Sequence, residues 1–373
     1  MLAALANWRN RLIASPRFQR WASGFVLTRP VAQRRAMALV DLCAGFVYSQ
    51  TLFACVQLDL FNILQPGPLA PGILAARLSL PVGAAERLLD AACALGLLRR
   101  HKGGGYGLDD LGAAMLGNPG IAAMVAHHAM LYRDLADPVA LLRGTHAPTE
   151  LSRYWPYATA AAAGDAAPDD VAGYSTLMST SQALVAGDIL DACPLADRAC
   201  LMDVGGGEGT FLKAAGARHP ALQLLLFDLP AVADRATEVF AQAGLAARAK
   251  TFGGDFAADA LPQGADAISL VRVVHDHDDA KVMTLLRACA RALPPYGLLL
   301  LAEPMAGTRG AEAVGDVYFG FYLLAMGSGR ARTPQRLAEM LRDAGFDRVR
   351  QVPTRRPFLT GLVVAQMADT SRR

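Results

Sequence analysis

The spacing of apolar residues changes along this chain and predicts two kinds of structure. Over roughly the first half, apolar positions recur at helical spacing, as in LPVGAAERLLDAACALGLLRR, where Leu88, Leu89, Ala92 and Leu95 share one face. From ACLMDVG onward, short apolar runs alternate with helical runs such as TFLKAAGARH, LQLLLFD and AVADRATEVFAQAG. This alternation predicts an α/β fold, a Rossmann-like doubly wound sheet with helices on both faces.

The two ends of the chain modify this picture. The last runs, FDRVRQVPT and GLVVAQM, predict two strands in an antiparallel edge of an otherwise mostly parallel sheet. Between about residues 42 and 117, three helical runs are followed by the Gly-rich turn HKGGGYG and a short helix, which is the order of a mainly α winged-helix domain. We therefore expect an arm at 1–41, a helical and winged-helix dimerisation domain at 42–185, and a ligand-binding domain at 186–373.

A glycine-rich turn, DVGGGEGTF, lies where the first strand of the sheet should end and its helix should begin. Ligands of such sheets bind at this edge. Gly205, Gly207 and Gly209 follow a G-x-G-x-G spacing, which favours a ligand without a phosphate whose amino-acid portion lies along the turn. Asp228 follows at the end of the second strand, where a carboxylate can accept both hydroxyls of a ribose, or can cap the helix after Pro230.

Composition excludes some classes of protein. The six cysteines have no CxxC or CxxxC spacing, so we expect no zinc, no disulfide framework and a reducing cytoplasm. No uncharged apolar run reaches about 18 residues, and the first residues do not resemble a signal peptide. The net charge of +3 is too small to indicate a nucleic-acid partner for the whole chain.

Charge is unevenly distributed, however. Residues 1–40 contain seven arginines and no acidic residue, interleaved with Trp8, Phe18, Trp21 and Phe25. This pattern fits either peripheral contact with an anionic membrane surface or a solvated helix that packs on protein. In the winged-helix segment the few basic side chains are offset by acidic ones, so dimerisation is favoured over DNA binding; these residues are Arg87, Arg99, Arg100 and Lys102 against Glu86 and Asp90.

Five motifs together resemble a known family. DVGGGEGTFL, FDLP, GGDF, RVVHDHDD and LLAEP, in this order and spacing, are similar to S-adenosylmethionine-dependent O-methyltransferases of the plant caffeate and acetylserotonin type, over residues 45–368. The resemblance implies a homodimer that binds S-adenosylmethionine without a metal. The cofactor-binding residues it implies are Asp203, Gly205, Gly207, Asp228, Leu229, Asp255, Phe256, Arg272 and, with Tyr174 nearby, Met178.

The same resemblance implies that His275 is the general base on the acceptor hydroxyl and that Glu303 orients it. Asp276 is expected to cap the next helix or to contact the cofactor. The chain departs from the family twice, with His277 where tryptophan is usual and with Ala331 in place of a second glutamate. The orientation of His275 is thus expected to depend on Glu303 alone or on a residue that the sequence does not identify.

The apolar run VGDVYFGFYLLAMGSGRART predicts a helix that lines an acceptor pocket or packs in the core, and the predicted substrate-binding residues on it are Phe319, Tyr322, Leu323 and Met326. The N-terminal arm is also similar to that of the bacterial carotenoid hydroxyneurosporene (demethylspheroidene) O-methyltransferases. This implies a lipophilic acceptor, the tertiary 1-hydroxyl of an acyclic carotenoid. The alternatives are an O-methyltransferase for a phenolic polyketide or other aromatic metabolite, and a cofactor-binding winged-helix DNA regulator.

Overall fold

The structure, a computed structural model, describes residues 1–155, 182, 185–193 and 195–368. Tyr174 and Met178 therefore lie outside the described residues. The chain divides into two compact units, Met1–Gly117 and Asn118–Arg373. The three-segment division at 41/42 and 185/186 stays a prediction, since compactness alone does not define where a functional domain begins.

The first unit is mainly helical and ends in a small hairpin. Strands β1 and β2 pair antiparallel, with Arg99 opposite Gly107, and a short helix follows them. The order of helices and hairpin agrees with the predicted winged helix. Its elements are α1 (Leu2–Ala14), α2 (Pro16–Gly24), α3 (Arg29–Gln57), α4 (Leu60–Leu64), α5 (Pro71–Arg77), α6 (Val82–Ala94), β1 (Leu98–Arg100), β2 (Tyr106–Leu108) and α7 (Asp110–Leu116).

Helix α3 is long and largely exposed within this unit. It has 29 residues and a mean hydropathy of 1.6 in its most apolar window, so by length and composition it could cross a membrane. Asp41 interrupts the apolar run, so the absence of a long uncharged run did not indicate this helix. Large apolar side chains such as Leu42 and Phe46 are 80% and 70% exposed.

The second unit is built on a seven-stranded sheet with the order β5-β4-β3-β6-β7-β9-β8. The first five of these strands are parallel, and β9 pairs antiparallel with both β7 and β8. The predicted doubly wound sheet and its antiparallel C-terminal edge are confirmed. The strands are β3 (Cys200–Val204), β4 (Gln223–Asp228), β5 (Ala249–Gly253), β6 (Ala267–Val271), β7 (Leu298–Glu303), β8 (Phe346–Val352) and β9 (Gly361–Met367).

Helices cover both faces of this sheet because successive strand residues point to opposite sides. Met202 and Val204 of β3 belong to one apolar cluster, whereas Leu201 belongs to another. Several helices begin at residues suited to that position: Asp278 and Thr333 each accept a hydrogen bond from a backbone N–H of the first turn. The helices are α8 (Pro119–Asp134), α9 (Pro138–Arg143), α10 (Glu150–Tyr154), α11 (Thr210–Arg218), α12 (Pro230–Gln242), α13 (Asp279–Ala292), α14 (Phe319–Met326) and α15 (Pro334–Asp343).

A wide π-helical turn, Ala313–Tyr318, leads into α14. Gly315 allows the turn to pack closely against Met305, which lies two residues after the end of β7. A Cβ at position 315 would lie 2.3 Å from the carbonyl oxygen of Met305. Asp316 accepts a hydrogen bond from the backbone N–H of Gly307 at 2.9 Å. Turns of this type often occur at functional sites. Here the turn fixes where Tyr318 and the residues of α14 lie.

Candidate active site

The carboxyl ends of the parallel strands bring most of the predicted site residues to one edge of the sheet. Asp203 is the last residue but one of β3 and the glycine turn follows that strand, Asp228 ends β4, and Asp255 follows β5. Arg272 and His275 follow β6, and Glu303 is the last residue of β7. The order of the strands places β3 next to β6, where the direction of winding reverses, so the edge has the position that ligands occupy in such sheets.

Asp203 is fully buried beside the glycine turn. Its Oδ1 accepts a hydrogen bond from the Ser269 hydroxyl at 2.6 Å, whereas its Oδ2 has no partner among the described residues. Burial raises the pKa of Asp203 to about 7, although the Ser269 bond lowers it. A buried oxygen without a partner is costly. The carboxyl group is therefore suited to meet a donor that a ligand brings.

The backbone of the turn leaves room for such a ligand. Gly207 has φ +59°, which favours glycine, and nothing lies within 4 Å of the position that a Cβ would take. Asp228 accepts hydrogen bonds from the backbone N–H of Gly207 at 2.8 Å and of Leu229 at 2.7 Å. Leu229 precedes α12 as its N-cap residue, so Asp228 itself does not cap that helix. Its carboxylate instead joins the glycine turn to the end of β4.

Two aromatic rings lie after β5 and β6. Phe256 is half-buried and contacts the ring of His277 edge-on, with centroids 5.3 Å apart. Burial lowers the pKa of His277 to about 3, so this imidazole is neutral and serves as an aromatic side chain where the family usually has tryptophan. Asp255 closes its own turn by accepting from the N–H of Ala257 at 2.8 Å.

Arg272 has an unusual backbone conformation. Its φ is +59°, in a region that residues other than glycine rarely adopt. Its backbone N–H donates to the carbonyl of Ala302 at 2.8 Å. Such strain persists only where surrounding structure imposes it, often at functional sites. The arginine lies on the wall of the cavity described below.

His275 lies in a short 3₁₀ turn, Val274–Asp276, and is 5% exposed. Its Nδ1 is in short hydrogen-bonding contact with Oε2 of Glu303. The other oxygen of Glu303, Oε1, accepts from the backbone N–H groups of Val273 at 3.1 Å and Val274 at 2.7 Å. Glu303 is thus held by three partners, and it fixes the plane of the imidazole and directs Nε2 away from β7.

A second carboxylate lies at the opposite edge of the imidazole. Asp276 Oδ1 is 3.2 Å from His275 Nε2. The expected capping role of Asp276 was wrong, because α13 is capped by Asp278, and the sequence did not identify Asp276 as a partner of the ring. Burial lowers the pKa of His275, but the charges of Asp276 and Glu303 outweigh it and raise the pKa above its ordinary value.

The residue in place of the family's second glutamate, Ala331, lies in a segment that supports the histidine through its backbone. The N–H of Arg330 donates to the carbonyl of His275 at 2.8 Å, and the hydroxyl of Ser328 donates to the carbonyl of Asp276 at 2.6 Å. Gly329 makes this approach close, because a Cβ there would lie 2.1 Å from the His275 oxygen.

Arg332 extends this support and was not predicted from the sequence. It is 4% exposed and donates to the carbonyls of Val274 at 2.9 Å and His277 at 2.8 Å. Its Nε donates to Asp279 at 2.9 Å. The guanidinium group therefore ties the start of α13 to the turn that carries the candidate base.

A cavity of ≈ 380 Å³, which includes its open mouth, lies beside His275. Charged groups occupy one end, and aromatic rings and thioethers form most of the remaining wall. We call it the acceptor cavity, and its lining residues are Met124, Trp155, Arg272, His275, Asp276, Tyr318, Phe319, Tyr322 and Met326. Three of the four predicted substrate residues line it, whereas Leu323 is 1% exposed and packs in a cluster with Leu131 and Leu141.

Within the described residues no group of three or more His, Cys, Asp or Glu side chains could hold a metal ion. An organic ligand with an amine and hydroxyls fits the edge better. The unpartnered oxygen of Asp203, the open space at Gly207 and the partly exposed carboxylate of Asp228 offer acceptors and room for it. The residues present thus fit S-adenosylmethionine, which carries these groups.

Comparison with known proteins agrees with this geometry. Residues 132–347 match the family model for the O-methyltransferase domain, and residues 40–118 match that for the O-methyltransferase dimerisation domain. The chain is 44% identical to demethylspheroidene O-methyltransferase of Cereibacter sphaeroides, over 95% of this chain and 93% of the relative. It is 41% identical to the enzyme of the same name from Rhodobacter capsulatus, over 96% of this chain and 89% of that relative.

The fold also matches a solved structure, human N-acetylserotonin methyltransferase in complex with SAM. The TM-score is 0.74 over 90% of this chain and 98% of the human chain, at 24% identity, which shows a common fold alone. The chain belongs to the O-methyltransferase family. It carries the dimerisation domain of that family, which supports a homodimer.

Proposed function

We propose that this enzyme transfers a methyl group from S-adenosylmethionine to the tertiary 1-hydroxyl of an acyclic carotenoid. The observation that carries the proposal is the acceptor cavity, which has one charged end at Arg272, His275 and Asp276 and otherwise mostly apolar walls. A long apolar molecule with a single terminal hydroxyl matches this arrangement. The two relatives that are 44% and 41% identical, both named demethylspheroidene O-methyltransferase, support the same acceptor class.

The lining of the cavity suits the hydroxylated end of such an acceptor, because a few charged side chains lie among aromatic rings and thioethers. An acyclic carotenoid would place its hydroxylated end beside His275 and leave the rest of its chain outside the cavity. Aromatic rings such as Phe319, whose centroid is 5.7 Å from that of His275, would contact the end of the chain and exclude water.

S-adenosylmethionine, when bound, supplies the sulfonium methyl group that is transferred. The chain's own residues position the acceptor and remove its proton. Glu303 accepts a hydrogen bond from Nδ1 of His275, so Nε2, beside the carboxylate of Asp276, is the nitrogen left to accept the proton of the acceptor hydroxyl. An aliphatic alcohol with a pKa near that of water, about 15.7, would cost roughly 12 kcal/mol to ionise fully against an ordinary imidazole. The proton must therefore leave while the oxygen attacks the methyl group. The rate then depends on how well the acceptor hydroxyl is oriented toward the methyl group and His275.

The direct test is incubation of the purified enzyme with methyl-labelled S-adenosylmethionine and a 1-hydroxylated acyclic carotenoid, followed by mass analysis. We expect one labelled methyl ether per converted hydroxyl. A phenolic acceptor run in parallel tests the alternative, an O-methyltransferase for an aromatic metabolite. Methylation of the phenol without methylation of the carotenoid would reject the proposed acceptor.

We predict that Asp228→Ala weakens S-adenosylmethionine binding at least tenfold. The carboxylate would accept the ribose hydroxyls, and hydrogen bonds to a charged group contribute about 1.5 to 3 kcal/mol each. Calorimetric titration measures the affinity directly. Asp234→Ala, which changes a residue on α12 outside the glycine turn, is the matched control and should bind as the wild type does. Equal affinity of the Asp228 variant would reject the ribose assignment.

The alternative from another class, a DNA-binding regulator, has less support. Arg100 of the hairpin pairs with Asp90 at 2.5 Å and also donates to the hydroxyl of Tyr106 at 2.6 Å. The guanidinium is thus occupied within its own unit, where a DNA-binding wing would direct it to phosphates. Salt-dependent binding to a DNA duplex would favour the regulator.

We also propose that the arm makes peripheral contact with the cytoplasmic face of the inner membrane. The rings of Phe18 and Trp21 on α2 and of Phe25, directly after it, contact one another in succession, with centroids 5.6 and 5.3 Å apart. Val26 and Leu27, which follow it, are 73% and 79% exposed. Arginines flank this apolar surface, a combination that favours anionic lipid headgroups. A carotenoid acceptor would be taken up from the same membrane.

The exposed face of α3 beyond residue 40 has a different proposed partner, a second copy of this chain. Leu42 and Phe46 lie within the stretch that matches the dimerisation domain of the family. A stable dimer of this kind would bury these side chains, which are now largely exposed. Dimer interfaces are enriched in such apolar groups.

A further inference from the structure

Two tyrosines that line the acceptor cavity, Tyr318 and Tyr322, have their hydroxyls hydrogen-bonded to a pair of neighbouring histidines. Tyr322 Oη is 2.8 Å from Nε2 of His127, and Tyr318 Oη is 2.8 Å from Nε2 of His128. Tyr322 Oη also accepts a hydrogen bond from Nε1 of Trp155 at 2.9 Å. Both histidines are on α8, and neither is among the described residues that line the cavity.

The protonation state of the histidines decides the direction of these bonds. Burial lowers the pKa of His127 to about 4, and the neighbouring His128 lowers it further; burial also lowers the pKa of His128. Both are therefore neutral at pH 7, and a neutral imidazole has one donor and one acceptor nitrogen. Because the indole of Trp155 can only donate, the matching arrangement has Tyr322 donating its own proton to Nε2 of His127.

We propose that His127 and His128 determine acceptor specificity by holding the hydroxyls of Tyr322 and Tyr318 away from the acceptor. The hydroxyl of Tyr318 also donates to Sδ of Met124 on α8 at 3.6 Å, so both hydroxyls are bonded to groups of α8 while the two tyrosines line the cavity. A polar substituent placed against these rings would lose its water without gaining a partner, which costs free energy. The wall would then favour an acceptor whose only polar group is the hydroxyl beside His275, and this part of the inference rests on the proposed function.

The test measures selectivity between a short tertiary isoprenoid alcohol and the matched diol that carries one further hydroxyl. Binding of each to the full-length protein is followed by the fluorescence of its tryptophans, so no turnover is needed. His128→Leu and His127→Leu each remove the imidazole partner of one tyrosine hydroxyl. We expect the preference for the alcohol over the diol to fall about three- to tenfold, as one net hydrogen bond predicts.

A double variant separates this effect from general damage to the fold. His128→Leu with Tyr318→Phe removes the hydroxyl as well, so the preference should return to the wild-type value. His146→Leu, at an exposed histidine of the same unit, is the matched control and should leave the preference unchanged. If leucine prevents folding, His128→Asn serves instead, because its shorter side chain cannot reach the hydroxyl of Tyr318.

Two outcomes would overturn the inference. One is an unchanged preference in folded variants at both histidines, and the other is a double variant that keeps the altered preference of the single one. Neither depends on which acceptor is methylated. Absence of methyl transfer from wild-type enzyme to the carotenoid alcohol would reject the proposed function, whereas the binding preference of the variants tests the histidines alone.

Discussion

At the scale of single residues, His275 and its carboxylates account for the proposed chemistry. Glu303 contacts Nδ1 and is itself fixed by two backbone N–H groups, so the ring has little freedom. The sequence motif indicated both residues but not Asp276 at the other nitrogen. That contact depends on the 3₁₀ turn of Val274–Asp276, whose geometry no pattern of apolar residues reveals.

We predict that His275→Ala lowers kcat by a factor of about 10² to 10⁴, the usual contribution of a positioned general base. Glu303→Gln should have a smaller effect, because an amide oxygen can still accept from Nδ1 but carries no charge. The affinity for S-adenosylmethionine, measured by calorimetry, should change little in either variant. Full activity of His275→Ala on the carotenoid alcohol would falsify general-base catalysis at this position.

The raised pKa of His275 predicts a pH dependence. The histidine must be neutral to accept a proton, so kcat/KM should fall as the pH drops through a pKa above 6.5. Asp276 raises this pKa, and Asp276→Asn should therefore move the acidic limb to lower pH. Profiles of kcat/KM against pH would measure the shift. Asp343→Asn, at an exposed residue of α15, should leave the limb in place; an unmoved limb in the Asp276 variant would contradict the assignment.

At the scale of elements, the ends of the strands were predictable and the supports between distant elements were not. Asp203, Asp228 and Glu303 stand at or near the last residues of apolar runs, and parallel strands bring such positions together. Arg332 lies in a polar segment that gives no periodic signal. Its role depends on contacts with residues more than 50 positions away, so only the folded chain reveals it.

We predict that Arg332→Met lowers the free energy of unfolding by about 2 to 4 kcal/mol, because two buried carbonyls lose their donor. It should also lower kcat, since those carbonyls flank His275. Arg336→Met is the matched control: Arg336 also binds Asp279, but its side chain is 46% exposed. Its loss should therefore cost much less, because an exposed ion pair contributes little to stability. Urea unfolding compares the two, and equal losses would show that the buried contacts of Arg332 contribute nothing special.

The helix that lines the cavity, α14, also shows that the sequence pattern predicts an element better than the side chains that it directs into the site. Its apolar pattern predicted Phe319, Tyr322 and Met326 on the cavity wall, and the structure places them there. The pattern could not separate them from Leu323, because a helix of this composition is apolar on every side. A π-helical turn precedes this helix, and Gly315 permits the close approach of the turn to the carbonyl of Met305.

At the scale of the whole molecule, the exposed apolar surface of the first unit extends beyond the stretch that matches the dimerisation domain. The match to the dimerisation domain includes α3 from residue 40 onward. It does not include α1, α2 or the residues between α2 and α3. Composition alone revealed the arginines and aromatic rings of this arm, since their clustering is visible in the sequence. It did not reveal that α3 continues without a break from Arg29 to Gln57 and so links the two surfaces.

We predict that deleting residues 1–28 abolishes binding to anionic vesicles and leaves the dimer intact. The deletion removes Trp21, Phe25 and four of the arginines, whereas α3 and the stretch matching the dimerisation domain remain. Vesicle sedimentation with phosphatidylserine measures the first effect, and analytical ultracentrifugation measures the second. Binding of the intact protein should weaken as salt rises, because exposed charges are screened.

Arg17→Gln with Arg20→Gln should reduce the salt-dependent part of binding, and Trp21→Ser the part that persists at high salt. Equal vesicle binding by the shortened protein would assign the arm a structural role only, and loss of the dimer would place the interface in the arm itself.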